Sequence, residues 1–119
     1  MTPDELKKII DDHAKWLRNE NGGGHANLSG ANLRDANLSD ADLRGANLDY
    51  SCWPLWCGSL DVKVDARIFR QLAYHLCRLD VDDDECRAMQ RILIPLANQF
   101  HHAKECGIIE STKDSQENI

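Results

Sequence analysis

Leucine recurs at every fifth position in the middle of the first half of the chain: Leu28, Leu33, Leu38, Leu43 and Leu48. Each is preceded two residues earlier by an alanine: Ala26, Ala31, Ala36, Ala41 or Ala46. The other three positions of each block are Asn/Asp, Ser/Arg/Asp and Gly/Asp/Tyr, nearly all polar. A period of five is neither the 3.6 of a helix nor the 2 of a strand. It describes a coil that regains its orientation every five residues or a small multiple of five. One large and one small residue face inward, and three face out. Asn, Asp and Gly at outward positions suit tight turns, through local side-chain hydrogen bonds or tolerance of left-handed φ. A unit this short cannot bury its own leucine, so successive coils must stack.

The flanks follow the helix period. Thr2, Pro3 and Glu5 give a capping box and a first-turn proline, and Leu6, Ile9, Ile10, His13, Trp16 and Leu17 fall on one face. Residues 2–20 are therefore predicted as a helix, stopped by Asn21-Gly22-Gly23-Gly24, with His13 packed beside Trp16. Asp65 reads as the N-cap of a second helix running to about Leu79, with Ile68, Leu72, His75, Leu76 and Leu79 as its buried stripe. A third helix is expected from about Asp84, with Met89, Leu93, Leu96, Ala97 and Phe100 on one side. Pro95 must kink or split it near Ile94, and Gly107 is its natural stop. Glu110 to Ile119 reads as a polar tail.

The blocks ANLSG, ANLRD, ANLSD, ADLRG and ANLDY resemble the pentapeptide-repeat family, in which a small residue, Asn/Asp and Leu/Phe precede a polar and a variable residue. The match covers 25 of 119 residues. The resemblance implies a right-handed quadrilateral β-helix, one pentapeptide per face and four per coil. Leu48 would then lie over Leu28, and Asn47 over Asn27. Trp53 keeps the register at a leucine position, Pro54 breaks it, and Gly58-Ser59-Leu60 resumes it after a slip of two. The expected fold is α+β: a β-helix of about two coils over 26–62, capped by the N-terminal helix and by a C-terminal helical hairpin over 65–107. Trp53, Leu55 and Trp56 are the expected seam with that hairpin. The whole chain is expected to form one domain.

Composition narrows the function. The net charge of -6 disfavours direct nucleic-acid binding, which needs a basic face, and permits docking on a basic partner. No apolar run approaches a membrane span and the first residues lack a signal-peptide pattern, so a cytoplasmic protein is expected, in a bacterial host if phage-encoded. The five cysteines, Cys52, Cys57, Cys77, Cys86 and Cys106, read as reduced thiols filling small apolar sites. Neither the Cys52/Cys57 nor the His102/Cys106 spacing is a tight zinc signature, so no metal and no cofactor are expected. His75 with Cys77, or His102 with Cys106, could form a nucleophile pair, but such pairs arise readily by chance. No enzymatic activity is expected.

The feature left over is acidic. Residues 80–85 place Asp80, Asp82, Asp83, Asp84 and Glu85 within six positions, and Asp35, Asp40, Asp42 and Asp49 decorate the repeat, diluted by Arg34 and Arg44. These nine carboxylates read either as solvated surface with helix capping or as a patch that docks on a basic groove. Some pentapeptide-repeat proteins are DNA mimics that occupy gyrase, and short acidic phage proteins block CRISPR effectors. The resemblance thus implies a non-enzymatic, acidic inhibitor of a nucleic-acid-binding machine. Two coils span only about 10 Å at strand spacing, which favours a compact pocket of a CRISPR effector over a gyrase-length groove. The alternatives are a gyrase-directed mimic and a structural or adaptor module. The expected partner is the basic surface of a protein or nucleoprotein complex, met by a monomer, without membrane contact.

Overall fold

The computed structural model describes residues 1–110 of the chain. Two compact units are present, Met1–Asp65 and Ala66–Ile119. The polar tail expected at 110–119 lies outside the described residues after Glu110.

The first unit opens with α1, Pro3–Leu17. Thr2 caps it, its side chain accepting from the Glu5 N–H at 3.1 Å, and Asp4 and Glu5 lie in the first turn, where the helix dipole favours negative charge. Leu6 and His13 are buried, whereas Trp16 keeps 42% of its surface in water.

The repeat follows as a coil made of turns. At each block the Asn or Asp side chain accepts the backbone N–H two residues on: Ser29 to Asn27, Arg34 to Asn32, Ser39 to Asn37, Arg44 to Asp42 and Asp49 to Asn47. This local bond explains why only Asn and Asp occupy that position. The chain comes back over itself after twenty residues, with parallel bridges Asn27 to Asn47 and Asn32 to Cys52, and after twenty-one at Asp42 to Lys63. All five repeat leucines are buried between these layers.

The quadrilateral β-helix, and with it the α+β class, is not what forms. Among the described residues there is no strand and no sheet; the three bridges are isolated single-residue pairs, and the regular elements are helical. The physical reason is in the blocks themselves. Each carries a turn at its last positions, so each side of the coil leaves about one extended residue to pair. With one layer over another, no run of consecutive bridges can build a ladder.

Past Tyr50 the register changes differently from the expected two-residue slip. The Leu28 and Leu33 N–H groups donate to carbonyls nineteen residues on, Asn47 and Cys52, whereas Leu38 and Leu43 donate twenty on, to Gly58 at 2.6 Å and Lys63 at 2.9 Å, so one extra residue enters between Cys52 and Gly58, leading into the short 3-10 turn Cys57–Ser59. The Trp56 indole N–H donates to Ala36 O at 3.0 Å, supplying a donor that no backbone amide provides there. Leu55 stands 91% exposed and Trp53 is half-buried.

The second unit holds α2 (Ala66–Cys77), α3 (Asp84–Ala97) and the short α4 (Ala103–Cys106). Ala73, Tyr74, Ala97, Phe100 and Ala103 form its core, with Cys77 and Ile109 against it. The small Ala73 and Ala97 allow close approach, and the Tyr74 ring packs on Phe100 at 5.0 Å between centroids. The Tyr74 hydroxyl donates to Gly107 O, and Asn98 exchanges two hydrogen bonds with the Ile109 backbone, fastening the segment after α4.

Three expectations are corrected here. The long third helix ends at Ala97, and a separate α4 runs to Gly107, whose φ of 114° stops it. Pro95 does not split α3: it lies three residues from the C-terminus, where only one helical hydrogen bond is lost. The predicted buried stripe of α2 is inverted. Ile68 is buried as expected, but the remaining buried residues are Ala73 and Tyr74, while Leu72, His75, Leu76 and Leu79 are exposed. Counting apolar side chains picks the leucine face, whereas packing chose the small residue and the hydrogen-bonded tyrosine.

Candidate interaction surfaces

In the second unit, the turn at 80–85 is held from both sides. Asp83 is the N-cap of α3, its carboxylate accepting the Cys86 N–H at 2.8 Å. That backbone bond holds the Asp83 carboxyl below its usual range, and the carboxylate pushes the Cys86 thiol up, away from reactive thiolate. Asp84 and Glu85 occupy the first turn of α3, facing the positive end of its dipole. Arg87 Nε donates to Val81 O, and its guanidinium pairs with Asp82 at 3.5 Å. At the C-terminal end of α2, Gln90 donates to Leu76 O and Leu79 O, satisfying terminal carbonyls. The turn is thus a shaped loop, with Asp80, Asp82, Asp83, Asp84 and Glu85 all at the surface.

In the first unit the repeat carboxylates behave differently. Arg44 grips Asp42 through two contacts, 2.9 Å from Nε to Oδ1 and 2.6 Å from Nη2 to Oδ2, and holds its carboxyl below the usual range. Arg34 pairs with Asp35 at 3.4 Å. Asp40 sits at a left-handed turn with φ 64°, and Asp49 is half-buried. Sequence spacing showed the arginines as a dilution of charge; the geometry makes them direct partners of Asp35 and Asp42. The nine predicted site residues therefore divide into a contiguous set on the second unit and four on the first.

Two clefts accompany these surfaces. One, of about 840 Å³ in the first unit, lies between the N-terminal half of α1 and the coil, lined by Leu6, Ile10, Leu33, Ala36 and Trp56 among others. Another, of about 660 Å³ in the second unit, is lined by Arg78, Arg87, Gln90, Ile94 and Ile108 among others. Arg78 there donates to the Tyr74 hydroxyl at 2.9 Å, so its guanidinium is committed to the core.

The residue that sequence reasoning undervalued is His13. It is fully buried, and both ring nitrogens are used. Nδ1 accepts the Ala26 N–H at 3.0 Å, so the proton sits on Nε2, which donates to Arg44 O at 2.8 Å. Its packing on Trp16, expected from the helical spacing, is present at 5.4 Å between ring centroids. The two backbone bonds, which fasten α1 to the start and end of the first coil, had no sequence signal.

The thiols also depart from expectation. Cys52, Cys57, Cys86 and Cys106 are exposed and Cys77 is half-buried, so they do not fill small apolar sites in general. Cys77 alone borders the core, its thiol directed at Gln90 O. Among the described residues no helix is long and apolar enough to cross a membrane.

Residues 24–52 match the family model described as Pentapeptide repeats (8 copies). No curated protein matches the chain, and no solved structure does.

Proposed function

We propose that this chain, whose residues 24–52 match the pentapeptide-repeat model, is a non-catalytic protein-interaction module that docks on a basic surface. The observation that carries this reading is the acidic turn at 80–85. Five carboxylates stand at the surface there within six residues, on a loop fixed by the Asp83 cap and by Arg87. A pre-shaped loop loses little conformational freedom on binding, and its charge speeds encounter with a positive groove. Of the repeat's own acids, Asp35 and Asp42 are paired with arginines, which weakens their attraction for a basic partner.

In its finer form, the partner is a machine that binds nucleic acid, and the acidic turn occupies part of the groove meant for phosphates. A CRISPR effector fits this reading through its compact, strongly basic recognition surface. The test is target-DNA binding by a guide-loaded effector, with and without the protein, over a salt series. Asp80→Asn/Asp82→Asn/Asp84→Asn/Glu85→Gln leaves the Asp83 cap intact and should abolish inhibition together with its salt sensitivity. Inhibition that persists in that variant would sink the acidic-turn mechanism. No inhibition by the native chain would remove the effector as the target.

A further inference from the structure

The first layer of the coil ends in backbone groups that the fold leaves unused. Each bridge between layers has one form: Ala26 O accepts the Asn47 N–H at 3.1 Å, and the Leu28 N–H donates to Asn47 O at 2.8 Å. Ala31 and Leu33 hold Cys52 in the same way, and Ala41 and Leu43 hold Lys63. Along extended backbone, successive residues turn their N–H and C=O to opposite sides. The alanine and leucine of each block point theirs at the second layer, so Asn27, Asn32, Asn37 and Asp42 between them point theirs away from it. Among the described residues no hydrogen bond engages the backbone of Asn32 or Asn37, and their side chains are already committed to the Arg34 and Ser39 N–H groups. The cleft of about 840 Å³ opens on this edge, lined by Asn32 and Asn37 together with Leu6 and Ile10 of α1. Where α1 is fastened, at the His13 bonds to Ala26 and Arg44, Ala26 is buried; Ala31, Ala36 and Ala41 are half-buried.

An edge of unpaired N–H and C=O groups is a template for another extended backbone. We propose that this edge binds an extended peptide segment of another protein, paired to Asn37 as Asn47 is paired to Ala26 and Leu28. In that register the Asn37 N–H donates to the carbonyl of one peptide residue, and the peptide N–H two residues further on donates to Asn37 O. The first of these residues stacks on Ala36 and the second on Leu38. The layers themselves show what suits those places: Ala46 and Leu48, which flank Asn47, are buried beside Ala26 and Leu28. The segment is therefore small, any residue, large apolar, with the large side chain entering the cleft beside Leu6 and Ile10. A recess of this volume is the size that takes a ligand or a few residues of peptide. A globular partner, a second copy included, covers about 800 Å² on each side, which suits an open face and not a recess. The charged residues lining the cleft, Lys7 and Arg34 against Asp35 and Asp40, balance. A neutral segment fits that balance, and a nucleic-acid strand with a charge on every phosphate does not. The edge belongs to the first unit and owes nothing to the acidic turn of the second.

The probe is a capped peptide with the neutral sequence of residues 26–30, acetyl-Ala-Asn-Leu-Ser-Gly-amide. It is titrated into the full-length, nitrogen-15-labelled chain and followed by amide NMR. Binding with a dissociation constant on the order of 0.1–1 mM is expected. The Asn37 amide proton should move downfield as it gains an acceptor, its hydrogen exchange should slow, and the amides of Leu6 and Ile10 should shift with it. The amides of Asp84 to Ala97 in the second unit should stay in place. Methylating the peptide's leucine nitrogen removes the donor to Asn37 O and should weaken binding about tenfold or more. Aspartate in place of the peptide's leucine should abolish it. No shift at Asn37 with the peptide at about ten times the upper end of that range overturns the proposal. An N-methylated peptide that binds as well as the parent overturns the backbone pairing and with it the proposal. If the Asn37 amide shifts with the chain's own concentration in the absence of peptide, a second copy fills the edge, and the assignment to a peptide of another protein falls.

Discussion

Replacing His13 by leucine should destabilise the first unit more than any surface change near it. The imidazole satisfies two backbone groups at once, the Ala26 N–H and the Arg44 carbonyl. Leucine fills a similar volume but offers no hydrogen bond, and Ala26 is itself 1% exposed, so water does not reach the amide freely. A buried backbone group left unpaired costs about 1–3 kcal/mol, and there are two of them. The better apolar transfer of leucine offsets about a third of that, which leaves a net loss of about 1–4 kcal/mol. A unit of this size has a total stability on the order of 3–10 kcal/mol, so the fraction lost is large. Guanidinium unfolding followed by circular dichroism measures it, with Trp16→Leu as comparator. That change removes the stacked ring from a residue that is 42% exposed, and should cost less than half as much. If His13→Leu lost under about 1 kcal/mol, or less than Trp16→Leu, the two backbone bonds would not be what fastens α1 to the coil.

Further outcomes follow from the same geometry. Gly58→Ala would place a Cβ 2.4 Å from the Trp56 ring and 2.6 Å from Ala36 O. The ring can swing outward but the carbonyl cannot, so thermal unfolding should show a loss of about 1–3 kcal/mol, and some of it should persist beside Trp56→Ala. Leu38→Ala empties a fully buried position of the coil and should cost about 2–5 kcal/mol by denaturant melts, far more than Leu55→Ala at its exposed loop. Asp83→Ala removes the α3 cap and should lower the thermal unfolding midpoint at neutral pH. Because its carboxyl is held below the usual range in the folded state, the contribution of Asp83 is full above about pH 4 and fades as pH falls further; the variant and the native chain should converge in acid.

The division between what the sequence determined and what packing decided can be argued from single residues. The five-residue period alone specified the inward leucines, the alanines beside them and the turn-making Asn/Asp, because each block's chemistry is complete within its own five residues. It also located α1 and the Asp84 start of α3, since caps act over three or four residues. Strand pairing was not local. It required more than one extended residue per side, and the turns inside the same blocks removed them, so the expected β-helix gave way to isolated bridges.

The acids show the same boundary. Composition counted nine carboxylates equally, but only the folded chain turned Asp42 toward Arg44 and made Asp83 a cap. For α2, periodicity marked where apolar residues line up and could not say which side of the helix meets a neighbour. That depended on Ala73, small enough for α3 to approach, and on Tyr74, whose hydroxyl found the Gly107 carbonyl. His13 is the sharpest case: the sequence placed it on the inner face of α1, and only the coil arriving from thirty-one residues away gave its second nitrogen a partner. Contacts set by neighbouring residues were written in the sequence; those set by distant backbone came into being only when the chain closed on itself.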